Sequence, residues 1–72
     1  MPRLRDIKRA VEGLGYELVP PRGGGSHYRV RVQGRVYTLP AHNGLRTDIS
    51  EIYVAGLCRV LGMSVEDFGA LL

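Results

Sequence analysis

The chain has 72 residues, a formal net charge of +3 and one cysteine. This length predicts a single domain over residues 1–72, with one small core and no deep pocket. No run of 18 apolar residues is present, so we expect no membrane span and no membrane partner. The charged N-terminus predicts no signal peptide, and the lone cysteine excludes an internal disulfide, so the expected compartment is the cytoplasm.

The positive charge is concentrated in the part of the chain up to residue 46. The acidic residues there are Asp6, Glu12 and Glu17, against the basic residues Arg3, Arg5, Lys8, Arg9, Arg22, Arg29, Arg31, Arg35 and Arg46. Such asymmetry favours a polyanionic partner on one side of the molecule. Arginine also suits bidentate contacts with phosphate. An ordinary solvated charged face is the competing interpretation.

Apolar residues at helical spacing predict a first helix over about residues 3–13. Its apolar stripe consists of Leu4, Ile7, Val11 and Leu14. The exposed side of this helix is basic, which makes Arg5, Lys8 and Arg9 candidate RNA-binding residues.

Three strands are expected to follow. Residues 16–19 read as a short strand that ends at two prolines, residues 26–32 as a second strand and residues 35–40 as a third. Gln33-Gly34 has the composition of a two-residue hairpin turn. With that turn, His27 lies opposite Pro40 and Arg29 lies opposite Thr38, provided that no bulge intervenes.

The last third of the chain predicts a long helix and a short one. Residues 48–51 have the spacing of a capping box, and Gly62 ends the helix that follows. We expect an apolar stripe formed by Ile49, Ile52, Tyr53, Gly56, Leu57, Val60 and Leu61. The order α-β-β-β-α, with a short C-terminal helix, predicts an α+β fold in which helices cover one face of a three-stranded antiparallel sheet.

Strand alternation places His27, Arg29 and Arg31 on the face of the second strand that points away from the core. Histidine titrates near neutral pH and can act as base or acid, and neighbouring arginines stabilise developing negative charge. This combination suits metal-free RNA cleavage, in which the adjacent 2′-hydroxyl is the nucleophile. From the pattern alone, an ordinary two-faced strand is the competing interpretation.

Two further features lie near His27 in the predicted sheet. The amides of the glycine run that ends at Gly25 could hold an anion, although a mobile loop has the same composition. Arg22, Gly25 and Ser26 are therefore candidate RNA contacts. His42 is a candidate second proton carrier, since a continued strand would place it diagonal to His27, about 7–8 Å away. A loop histidine without a role is the alternative.

Other chemistries lack the necessary residues. No cysteine and histidine set has zinc spacing, and no carboxylate cluster suits catalytic magnesium. No Walker loop is present, and the glycine run precedes a strand rather than a helix, so it is not a dinucleotide fingerprint. We therefore expect no metal site and no small-molecule cofactor.

Several short motifs follow one another in a particular order. They are Gly15-Tyr16 after the first helix, Gly25-Ser26-His27 at the second strand, Pro40-Ala41-His42 after the third, and Leu61-Gly62-Met63-Ser64 followed by Glu66-Asp67-Phe68. In their order and spacing, over almost its whole length, the chain resembles the HicA (YcfA-like) toxins of bacterial toxin–antitoxin pairs. It departs from them in a longer segment between Gly15 and Gly25.

The resemblance implies a fold like the double-stranded-RNA-binding domain and an mRNA interferase activity with a role in stress response. It also implies that His27 is the catalytic residue and that a HicB-type antitoxin is the protein partner. The sequence thus predicts a metal-independent endoribonuclease. A non-catalytic RNA-binding module on the same fold is the main alternative, and a protein-interaction domain with arginine anchors is the third.

Overall fold

The computed structural model describes all 72 residues and has the predicted α+β architecture. In chain order the elements are α1 (Leu4–Gly13), β1 (Leu18–Val19), β2 (His27–Val32), β3 (Arg35–Pro40), a 3₁₀ turn (Gly44–Arg46), α2 (Glu51–Leu61) and α3 (Val65–Gly69). The strands form one antiparallel sheet in the order β1-β2-β3. The fold class and element order predicted from the sequence are confirmed.

The β2–β3 hairpin has the register that its turn sequence predicts. Gln33 and Gly34 both have positive φ, 49° and 80°, as a type I′ turn requires. Val32 therefore pairs with Arg35, and the ladder continues without a bulge to His27 opposite Pro40. The backbone amide of Ala41 donates to the Ser26 carbonyl at 2.7 Å, which extends the pairing by one more residue.

The core lies between one face of the sheet and the helices. Its fully or almost fully buried side chains include Leu4, Ile7 and Val11 of α1, Val30 and Val32 of β2, Leu39 of β3, Leu57 and Cys58 of α2, and Phe68 of α3. Each fully buried aliphatic or aromatic side chain contributes about 1.5–3 kcal/mol through removal of apolar surface from water. Since all these residues form one cluster, the helices and the sheet stabilise one another.

The start of α2 differs from the sequence-based expectation. The N-cap is Ser50, without a side-chain cap, so the capping box predicted at residues 48–51 is wrong. Asp48 instead forms an isolated antiparallel bridge with Arg3. Leu4 N–H donates to the Thr47 carbonyl and Ile49 N–H to the Pro2 carbonyl, both at 2.8 Å. These two hydrogen bonds hold residues 47–49 extended, so α2 begins only at Glu51.

The buried face of α2 also differs from the predicted stripe. Ile52 is 81% exposed and Tyr53 is 39% exposed, whereas Val54, Leu57 and Cys58 are buried. The prediction that Ile52 and Tyr53 belong to the core face is therefore wrong. Because α2 is rich in apolar residues all round, the sequence pattern left the orientation of the helix open, and contact with the sheet decides it.

The C-terminal part of the chain follows its sequence signals. Gly62 adopts φ 71° as the left-handed cap of α2, and the Ser64 hydroxyl accepts a hydrogen bond from the Asp67 amide at the start of α3. Phe68 is completely buried. The longest helix has 11 residues, and none has both the length and the apolar character needed to cross a membrane.

A close contact between α2 and β3 fixes how the helix lies on the sheet. The Tyr37 hydroxyl donates to the Tyr53 carbonyl at 2.8 Å, and the tyrosine ring passes directly over Gly56. A Cβ at that position would lie 2.8 Å from Cζ and 3.0 Å from Cε1 of Tyr37. Gly56 is therefore required by packing, and this contact fixes the position of α2 over β3.

Gly56→Ala is expected to lower the free energy of unfolding by about 1–3 kcal/mol, the usual effect of overpacking. Alanine favours a helix over glycine by about 1 kcal/mol, so the substitution would stabilise the protein if no collision occurred. Gly13→Ala is the matched control, since a Cβ there meets nothing within 4 Å. Urea denaturation of both variants measures the difference, and equal midpoints would contradict the packing argument.

Candidate nucleic-acid interface

The sheet has one face that no helix covers, and His27, Arg29 and Arg31 of β2 lie on it. All three are exposed, while the alternate residues Val30 and Val32 are buried. The predicted orientation of His27 and the two arginines is thus confirmed. None of the three strands contains an acidic residue. The uncovered face of the sheet is therefore positively charged along the whole of β2.

A shallow depression of about 280 Å³ adjoins this face. It is lined by Pro21, Arg22, Gly25, Ser26, His27 and Arg29. The depression joins the loop after β1 to the first residues of β2. It brings together five of the residues that sequence analysis singled out, namely Arg22, Gly25, Ser26, His27 and Arg29.

The conformation of the loop explains how these residues meet. The Gly25 amide donates to the Arg22 carbonyl at 3.1 Å and closes a turn. A Cβ on Gly25 would lie 3.1 Å from Cβ of Pro21 and 3.2 Å from the Arg22 carbonyl oxygen. Both distances are tight, so a glycine at this position allows the loop to fold back beside the start of β2. Gly25 thus shapes one wall of the depression.

The His27 ring has one nitrogen near a hydroxyl and one without a partner in the protein. Nδ1 lies 3.4 Å from the Ser26 Oγ, a long contact whose donor depends on the tautomer of the ring. Nε2 makes no hydrogen bond within the fold, and the side chain is exposed. An imidazole can accept or donate a proton, and here Nε2 is the nitrogen open to a ligand.

The arginines of the depression are available to an external anion. The molecule has two ion pairs, Lys8 with Glu12 at 3.0 Å and Arg9 with Asp6 at 3.4 Å, and both lie within α1. Arg22, Arg29 and Arg31 therefore make no ion pair with a carboxylate of the protein. A phosphate bound here would gain two guanidinium contacts without the loss of an existing pair.

The candidate residues of α1 form a separate surface. The helix packs on the core side of the sheet, so exposed Arg5 and Arg9 and half-buried Lys8 belong to the helical layer. Two of these three cations are already paired with acids of the same helix. The set of RNA-binding residues predicted from the sequence thus divides into the sheet surface around His27 and a second, partly neutralised surface on α1.

His42 is exposed in the turn after β3 and does not line the depression at His27. The strand path on which its predicted diagonal position depended ends at Pro40. The structure therefore does not bring the two histidines into one depression. Nor does it contain a group of three or more histidine, cysteine or acidic side chains placed to hold a metal ion.

Sequence reasoning missed a second polar depression, lined by Arg3, Asn43, Arg46 and Asp48. Arg3 is distant in the sequence from the other three residues, and the four carry no recognisable spacing. The bridge between Arg3 and Asp48 brings them together, and no sequence pattern predicted that bridge.

Comparison with known proteins does not assign the chain to a family. No family model, no curated protein and no solved structure matches the chain.

Asp6 links the charge of α1 to its stability. The hydrogen bond from the Arg3 amide, at 3.0 Å, and the nearby charges of Arg9 and Arg5 hold the pKa of the Asp6 carboxyl below its ordinary value of 3.8. An acid with a lowered pKa stabilises the folded state above its unfolded pKa, and this contribution is lost as the pH falls through the folded value. The effect is small because the carboxylate is accessible to solvent.

Asp6→Ala is accordingly expected to lower the thermal midpoint slightly at pH 7, with a difference from the parent that shrinks below about pH 3.8. Asp6→Asn keeps an acceptor oxygen and removes the titrating group, so its difference from Asp6→Ala should not vary with pH. Circular dichroism melts from pH 7 to pH 2.5 would measure both differences. A parent–alanine difference that grows in acid would contradict the assignment.

Proposed function

We propose that the protein is a HicA-like endoribonuclease that cleaves mRNA without a metal ion, with His27 as general acid/base. The observation that carries the proposal is the exposed His27, with an unpartnered Nε2, in a depression that also presents two unpaired arginines. A shallow, open site suits a polymer whose phosphates must reach the imidazole. A deep pocket would instead suit a small substrate.

The chemistry follows from the groups that surround His27. Its Nε2 accepts the proton of a ribose 2′-hydroxyl, whose oxygen then attacks the adjacent phosphorus. The bond from phosphorus to the 5′-oxygen breaks, and that oxygen leaves with a proton from solvent. Arg22 and Arg29 stabilise the negative charge that develops on the phosphate oxygens. The His27 imidazolium returns its proton to solvent, and the products are a 2′,3′-cyclic phosphate and a 5′-hydroxyl, so atoms and charges balance without a cofactor.

The partner and compartment are part of the same proposal. A cytoplasmic toxin that cleaves mRNA requires an inhibitor, and the resemblance to HicA toxins implies a HicB-type antitoxin. An antitoxin that covered the face of β2 would have to match the charges of Arg29 and Arg31, so we expect an acidic contact surface on it.

A non-catalytic RNA-binding module is the second candidate. It is favoured by the position of His42 outside the depression, since the site then contains one proton carrier rather than two. The same arginines would hold the RNA backbone in either case. The two candidates differ in what His27 does and not in where the RNA lies.

RNA affinity is expected to fall steeply with salt, because each phosphate neutralised on a single strand contributes about −0.7 to the slope of log K against log salt concentration. Arg29→Gln should make the slope shallower by about that amount. Arg59→Gln, on the exposed side of α2, is the control and should leave it unchanged. Fluorescence anisotropy with a labelled single-stranded RNA measures the slopes. If the RNA affinity of the parent did not change with salt concentration, phosphate contacts could not be the source of the binding.

His27→Ala is expected to reduce RNA cleavage about 10²–10⁴-fold, the usual contribution of a positioned general acid or base. The fold and most of the RNA affinity should remain, because the exposed side chain contributes little packing and the arginines are unchanged. His42→Ala is the matched control, and cleavage should persist because His42 does not line the depression.

The assay would follow a long single-stranded RNA in excess EDTA and would identify 2′,3′-cyclic phosphate ends, with circular dichroism to check folding. Equal cleavage by the parent and His27→Ala would show that the activity lies elsewhere. No cleavage by the parent, with RNA still bound, would support the RNA-binding module instead.

A further inference from the structure

The polar depression lined by Arg3, Asn43, Arg46 and Asp48, hereafter the polar pocket, has a volume of about 340 Å³. It shares no lining residue with the depression at His27. Its volume is at the lower end of the range for small-molecule sites, about 300–1,000 Å³. All four lining side chains are polar, which distinguishes the polar pocket from an apolar ligand cavity.

The backbone holds Arg3 and Asp48 side by side. They are the central pair of a short antiparallel bridge, flanked by the Leu4–Thr47 and Ile49–Pro2 hydrogen bonds described above. Cβ atoms of residues paired in this way lie about 4.5–5.5 Å apart on the same side. Arg3 and Asp48 therefore both line one side of the polar pocket.

Thr47 holds the other two lining residues. It is the one buried polar residue of the chain, with no exposed surface. Its Oγ1 accepts a hydrogen bond from the Asn43 amide at 2.9 Å and donates one to the Gly44 carbonyl at 2.7 Å. These bonds fix the turn that presents the side chains of Asn43 and Arg46. The polar pocket is thus built on a buried side-chain hydrogen-bond network and not on a loose loop.

The four lining side chains are unpaired within the protein. Arg3 and Asp48 form no ion pair although they are cross-strand neighbours, and Arg46 forms none either. The side-chain amide of Asn43 makes no hydrogen bond, since only its backbone amide is engaged. Donors and acceptors therefore face the polar pocket together and remain available to a ligand.

The mixture of groups discriminates between ligands. A simple anion would meet the Asp48 carboxylate, which repels it. A nucleobase instead needs both donors and acceptors. Guanine alone among the RNA bases presents two adjacent N–H groups, N1–H and N2–H, to one carboxylate. It also presents O6 and N7 to an arginine fork, the commonest specific contact between arginine and a base.

We propose that the polar pocket binds a guanine nucleotide of the RNA. Asp48 accepts hydrogen bonds from N1–H and N2–H of the base. One of the two guanidiniums donates to O6 and N7, while the other contacts a neighbouring phosphate. That the nucleotide belongs to RNA rests on the proposed function. The guanine contacts of the polar pocket add a preference for guanosine to that function.

The test compares the parent protein with Asp48→Asn and with the charge-matched control Glu66→Gln, an exposed acid of α3. The probes are short 2′-O-methyl RNA oligonucleotides, which cannot be cleaved through a 2′-hydroxyl, with guanine, inosine or adenine at one position. Inosine lacks the N2 amino group. Guanosine monophosphate and inosine monophosphate form a second set of probes. Fluorescence anisotropy measures the oligonucleotides and calorimetry measures the mononucleotides.

The parent and Glu66→Gln are expected to bind the guanine oligonucleotide about 5- to 100-fold more tightly than the other two, the discrimination of one bidentate base contact. Asp48→Asn should lose the preference for guanine over inosine. Equal binding of all three oligonucleotides by the parent, or a preference unchanged in Asp48→Asn, would overturn the proposal. A preference seen with the mononucleotides and not with the oligonucleotides would overturn RNA as the source.

Failure of the proposed ribonuclease would be distinguishable from failure of this inference. Binding is measured with RNA that cannot be cleaved, so an inactive protein that still selects guanine would refute the ribonuclease and support the polar pocket. A protein that cleaves RNA but binds guanine with no preference would support the ribonuclease and refute guanine binding in the polar pocket.

Discussion

The register of the β2–β3 hairpin is the constraint on which the rest of the structure depends. Side chains alternate along a strand, so a slip of one residue would exchange the two faces of the sheet. The turn at Gln33-Gly34 prevents such a slip because both residues adopt positive φ and close a two-residue loop. The same register buries Val30 and Val32 and exposes His27. The burial of the β2 valines and the exposure of His27 thus both depend on this one turn.

A second constraint comes from the N-terminal segment, which pairs with the residues just before α2. This pairing connects α1 to the second half of the chain and determines where α2 begins. Buried Thr47 is part of the same arrangement, since its hydroxyl bonds hold the preceding turn. The segment that forms the polar pocket therefore also joins two parts of the core.

The candidate site at His27 places little demand on stability. His27 and Arg29 are exposed on the side of the sheet that has no helices, and neither contributes to the core. An exposed charge of this kind adds little to the free energy of unfolding. Substitution of His27 or Arg29 is for this reason expected to leave the fold intact. Gly56 and Tyr37, by contrast, belong to packing alone.

Local sequence signals determined most of the fold. The spacing of Leu4, Ile7, Val11 and Leu14 predicted α1, although Leu14 follows the last residue of the helix and is 39% exposed. The Gln33-Gly34 pair predicted the hairpin and its register, and Gly62 predicted the end of α2. Each of these signals acts within a few residues, through backbone conformation or the period of a single element. The alternation of β2 predicted in the same way that His27 would be exposed beside Arg29, although what His27 does remains a proposal.

Tertiary contacts decided what local patterns left open. Because α2 is apolar all round, its orientation depended on contact with the sheet, and Ile52 became exposed while Val54 became buried. Asp48 could have capped α2, but it pairs with Arg3 between two backbone hydrogen bonds and lines the polar pocket. Arg3 lies at least forty positions from the other residues that form that pocket, and a sequence carries no periodic signal for such a contact. Its existence was therefore determined by packing of the whole chain.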